Sequence, residues 1–162
     1  MTTDTLKTTE TRSAQQREQI KSVFTELISL NLDGANAYKT ATELLENEQY
    51  TEICRDFAQQ RNAFADELRR AVAPYGAATP DEESINGLMH DAWMNLRNLV
   101  DGNDTAVIVE CDRSDERAIE IYHEMLDADL PADLEQVIRK QFSELKGEHE
   151  RIHRLAAALQ QH

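Results

Sequence analysis

Residues 76–103 read GAATPDEESINGLMHDAWMNLRNLVDGN, and the fold turns on what this stretch does. Pro74 and Gly76 close a helical pattern, and Ala77-Ala78 leads to a new start. Thr79-Pro80-Asp81-Glu82 supplies an N-cap, a proline at the first helical position and a glutamate able to close a capping box. Ile85, Leu88, Met89, Ala92, Trp93, Leu96, Leu99 and Val100 then fall on one side, so the spacing predicts a helix over residues 81–100. Asp101-Gly102-Asn103-Asp104 ends it as a turn cluster. A helix of about 20 residues is ~30 Å long, enough to run much of the length of a helical bundle. The stretch therefore reads as a long crossover between two helical hairpins. The alternative is a five-helix up-down array.

The hairpins lie on either side. Ile20, Phe24, Leu27, Asn31, Gly34, Tyr38, Ala41 and Leu45 alternate three- and four-residue steps, predicting a helix over 15–46. After a short break at Asn47, Ile53, Phe57, Arg61, Phe64, Leu68, Val72 and Tyr75 mark a second helix over 49–75. Beyond the crossover, Val107, Cys111, Ser114, Ala118, Tyr122 and Met125 stripe a helix over 104–128. Leu134, Ile138, Gln141, Leu145, His149, Ile152, Ala156 and Leu159 stripe another over 132–160, opened by Pro131. Residues 1–14 are Thr-rich and aperiodic and read as a flexible polar tail, leaving residues 15–162 as one all-α domain. The β-branched run Val107-Ile108-Val109 is too short to compete with its helical flanks.

Composition agrees. Five Gly and three Pro leave long helices uninterrupted. With 31 acidic against 17 basic residues the net charge is −14, a surface that repels nucleic acid and anionic membranes and keeps the protein soluble. Cys54 and Cys111 lack metal or redox spacing and read as two reduced, buried small hydrophobes. The first residues carry neither the basic region nor the apolar run of a signal peptide, and no stretch reaches transmembrane length. The expectation is a cytoplasmic protein.

A resemblance carries the reading further. Leu30-Asn31-Leu32-Asp33-Gly34 with Tyr38, Phe57…Arg61-Asn62-Ala63-Phe64-Ala65, Glu110-Cys111…Tyr122 and Leu145…His149 together resemble the ferritin-like superfamily. More narrowly, they are similar to small bacterial four-helix-bundle proteins of unknown function. The resemblance implies a ferritin-like four-helix bundle with an additional helix in the crossover. In that superfamily a di-iron centre takes a Glu seven residues before a Tyr, two Glu-x-x-His pairs and a further Glu. Those positions fall on Asn31, on Arg61 and Phe64, on Glu110, and on Lys146 and His149.

Only Glu110 and His149 suit a metal, Phe64 cannot coordinate, and Arg61 brings a permanent cation. Helix arithmetic puts Glu110 and His149 about equally far from the turn near Asp129, and Asn31 and Phe64 about equally far from Asn47. The expectation is a polar core layer of Asn31, Arg61, Glu110 and His149 in place of the metal, with Arg61 pairing Glu110. No cofactor is expected.

His149 and His153 share a helix face at i,i+4, as zinc-binding histidines do. A diverged metal-binding protein using Glu110, His149 and His153, with Asp115 nearby and iron or zinc as the ion, is one alternative. A small-molecule binding module with the polar layer as its floor is another. His90 reads as an edge residue of the crossover and His123 as solvated. No phosphate loop or nucleophile elbow is present, so the leading expectation is a non-enzymatic bundle acting through its surface or by forming a homodimer.

Overall fold

The computed structural model describes residues 2–78, 91–99 and 103–161. Its helices are α1 (Thr2–Leu44), α2 (Glu48–Val72), α3 (Asp91–Arg97), α4 (Asp104–Met125) and α5 (Ala132–Gln160), with a 3-10 stretch Ala73–Ala78 after α2. No strand occurs among the described residues. α1 begins inside the segment read as a polar tail. The Thr79–Glu82 start signal, Ile85, Leu88, Met89, His90, Val100 and Asp101-Gly102 lie outside the described residues.

Helix ends are held by short polar side chains. Asn47 caps α2, its Oδ1 accepting from the Gln49 and Tyr50 N–H groups at 2.9 and 3.3 Å. Asn103 caps α4 by accepting from Ala106 N at 2.9 Å. Asp33, well along α1, accepts from the Ala92 and Trp93 N–H groups at 2.9 and 3.3 Å. That contact fixes the start of α3 against α1, and Leu96 completes it by burying fully.

Two contacts define the chain's direction. The Asp104 carboxylate at the start of α4 accepts from the Glu46 and Asn47 N–H groups just after α1, both at 2.9 Å. At the opposite end the Tyr75 hydroxyl donates to Asp133 at the start of α5, 2.7 Å away. The connection from α2 to α4 therefore travels from one end of the helices to the other.

α1 packs against α2 and α4, and α5 packs against the same two. Among the described residues, no Cα of α1 comes within 8 Å of one in α5, nor any of α2 within that distance of α4. The four long helices thus form a square, α1 diagonal to α5 and α2 diagonal to α4.

Two apolar clusters fill the square. One gathers Phe24, Leu27, Leu68, Tyr122, Leu134 and Ile138 and lies toward the Tyr75 end. The other gathers Tyr38, Ala41, Cys54, Phe57, Ile108 and Ile152 toward the Asp104 end. Fully burying one such large side chain stabilises the fold by about 1.5–3 kcal/mol. Between the two clusters every long helix contributes a polar residue to the core.

Candidate functional site

That boundary is the candidate site. α1 brings Asn31 and Gly34 to it, α2 brings Arg61, α4 brings Asp115 and α5 brings Glu148. Arg61 is 1 % exposed and is the largest of the fully buried side chains. It fits because residue 34 is glycine. A Cβ there would stand 2.6 Å from Arg61 Nη2 and 2.7 Å from Nε, closer than real contacts allow.

Arg61, Asp115 and Glu148 shift one another's ionisation. Burial works against the Arg61 cation, but the Asp115 and Glu148 carboxylates outweigh it and raise its pKa. Burial raises Asp115, opposed by Arg61 and by the Tyr38 hydroxyl, which donates to Asp115 Oδ2 at 2.6 Å. Burial, then the neighbouring Asp115, holds Glu148 well above the usual carboxylate range, with Arg61 pulling the other way. Once Glu148 is protonated the layer holds one cation and one anion.

A hydrogen-bonded chain runs beside these charges and touches all four helices. Asn31 Nδ2 donates to Leu27 O at 2.8 Å and to the Tyr122 hydroxyl at 2.6 Å. Tyr122 donates to Gln141 Oε1 at 2.8 Å, and burial pushes its pKa up to about 12. Gln141 Nε2 donates in turn to Phe64 O at 3.1 Å and Glu67 Oε1 at 2.8 Å. Arg61 Nε and Nη1 and Asn31 Oδ1 have no direct hydrogen-bond partner, and Glu148 lies within hydrogen-bond reach of Asp115.

Of the residues expected here, Asn31 and Arg61 lie in the layer. Asp115 and Glu148 occupy the level expected for Glu110 and His149. Glu110 is partly buried and pairs with Arg113 at 3.6 Å. His149 turns to Asp112, its Nε2 2.9 Å from Oδ1, and His153 Nδ1 meets both Asp112 oxygens at 3.1 Å. The structure thus brings His149 and His153 together, with Asp112 rather than Glu110 between them. His123 is exposed, with its ring against Phe142.

Asp115 and Glu148 carried a signal in the sequence. Asp115 lies four residues after Cys111 and three before Ala118, and Glu148 three after Leu145 and four before Ile152. Each therefore fits its stripe as well as Ser114 or His149 does.

Cys54 and Cys111 are both free and buried. A hydrogen bond with Cys54, followed by burial, raises Cys111 well above the usual thiol range. They sit on diagonal helices whose Cα atoms stay more than 8 Å apart, too far for a disulfide without backbone movement.

A groove of about 580 Å³ opens beside the layer between α1 and α4, with Gly34 and Arg61 among its lining. Its walls mix Asp33, Glu110 and Glu120 with Arg113 and Arg117.

The chain is thus an all-helical protein that carries a charged layer within its core. Residues 6–128 match the family described as a domain of unknown function, DUF2383, and the chain belongs to that family. Comparison with curated proteins gives no match. No helix among the described residues is long and apolar enough to cross a membrane.

Proposed function

We propose that this chain is a ferritin-like four-helix bundle whose internal charge layer stands in place of a di-metal centre. In this reading the protein is non-enzymatic and works through its helical surfaces, as a homodimer or with a protein partner. The end-to-end path of the α2–α4 connection supports the ferritin-like topology, since that arrangement needs one long crossover. The observation that carries the functional reading is Arg61, a buried guanidinium pressed on Gly34 whose charge is upheld by the Asp115 and Glu148 carboxylates.

The donor set does not fit a di-iron centre. Asp115 and Glu148 are the carboxylates of the layer, and Arg61 occupies it with a cation that never deprotonates. Two carboxylates are too few to hold and neutralise two iron ions. Aerobic Fe(II) oxidation followed optically is the test. A rate equal to the buffer's supports the reading; catalysed oxidation abolished by Asp115→Asn contradicts it.

A second reading, a small-molecule binding module, rests on the α1–α4 groove and its contact with Arg61. A thermal-shift screen of small anionic and zwitterionic metabolites tests it. Stabilisation lost in Arg117→Ala would favour it over the first reading.

A further inference from the structure

We propose that Asp112, His149 and His153 form a surface site for one divalent transition-metal ion of the zinc type. Asp112 is on α4. His149 and His153 are one turn apart on α5, so their imidazoles project from the same side. One ligand atom from each residue lies within 4.8 Å of the other two. In a tetrahedral zinc site with bonds of about 2.0–2.2 Å, ligand atoms stand roughly 3.3 Å apart. Side-chain rotation alone can gather these three.

A second observation points the same way. His149 Nε2 is buried and makes no hydrogen bond, although Asp112 Oδ1 is only 2.9 Å away. The two groups stand at ion-pair distance without forming a hydrogen bond. His153 is 63 % exposed and gives solvent a path to the cluster.

Electrostatics favours a cation. The buried Asp115 carboxylate is close enough to act on both His149 and Asp112. Two imidazoles and one carboxylate are a ligand set zinc accepts, leaving a fourth position for water. Among first-row ions such a set binds zinc more tightly than ferrous iron. The site lies outside the buried layer and does not depend on the reading of Arg61.

The test is calorimetric titration of the tag-free chain with Zn²⁺ at neutral pH. The expected result is one ion per chain, weakened about tenfold or more in both His153→Ala and Asp112→Asn. His123→Ala, which removes an exposed histidine elsewhere, should bind as the parent does. Circular dichroism of each variant confirms folding, and His153 is exposed enough for its loss to be tolerated. Zinc should also shift the imidazole ¹⁵N signals of His149 and His153. No binding up to about 0.1 mM zinc, or equal binding in every variant, overturns the proposal.

Discussion

Gly34 and Arg61 are complementary: the guanidinium lies where any side chain at residue 34 would have to begin, 2.6 Å from the position of a Cβ. Neither element of the contact can yield easily. Residue 34 is held within α1 by helical backbone, and Arg61 is almost fully buried.

Gly34→Ala should therefore destabilise the protein, although alanine is the better helix former. Overpacking of this kind costs about 1–3 kcal/mol, against a propensity gain of ~1 kcal/mol. The clash should vanish in an Arg61→Ala background, where the same substitution becomes neutral or stabilising. Urea melts of the single and double variants measure this coupling.

Arg61→Ala removes the cation and leaves Asp115 buried without its compensating charge. The expected loss is about 3–5 kcal/mol, the range for leaving a buried charge uncompensated. Arg61→Lys should restore only part of it, because an ammonium lacks the planar fork. A thermal melt unchanged in Arg61→Ala would remove the layer from the account of stability.

Tyr38→Phe deletes the hydroxyl that donates to Asp115 at 2.6 Å. Hydrogen bonds to a buried charge contribute about 1.5–3 kcal/mol, and a loss of that size is expected in denaturant melts.

Stability should also depend on pH through Glu148. Its folded pKa is raised, first by burial and then by Asp115, while the unfolded chain has an ordinary carboxylate. A raised pKa gives stability that is complete below the unfolded value and is lost as pH rises through the folded one. The parent should accordingly melt lower at about pH 8 than at about pH 5. Glu148→Gln cannot titrate and should flatten that difference. Parallel melts of the two proteins read it directly; equal slopes would remove Glu148 as the cause.

Much of this architecture was legible in the sequence. Asn47 and the apolar stripes give the hairpins, because caps and periodicity act locally. The layer was legible only in part. Asn31 and Arg61 stand alone as polar residues on their stripes, so their burial follows from the spacing. On α4 and α5 the three- and four-residue steps leave two choices at one turn, Ser114 or Asp115 and His149 or Glu148. Periodicity cannot separate them, and carboxylates ordinarily face water. What draws Asp115 and Glu148 inward is Arg61, a partner 54 and 87 positions away along the chain. Asp112 was missed because its role depends on the level at which α4 meets α5, which counting from a turn fixes only to about one helical turn.

Iron stoichiometry decides whether the charge layer has replaced a di-metal centre. The tag-free chain and its His153→Ala variant would be incubated anaerobically with Fe(II), desalted and analysed for metal. The charge layer predicts no iron retained in the core, so any bound ion disappears with His153→Ala. Two iron ions per chain retained in that variant, and lost in Asp115→Asn or Glu148→Gln, would contradict it.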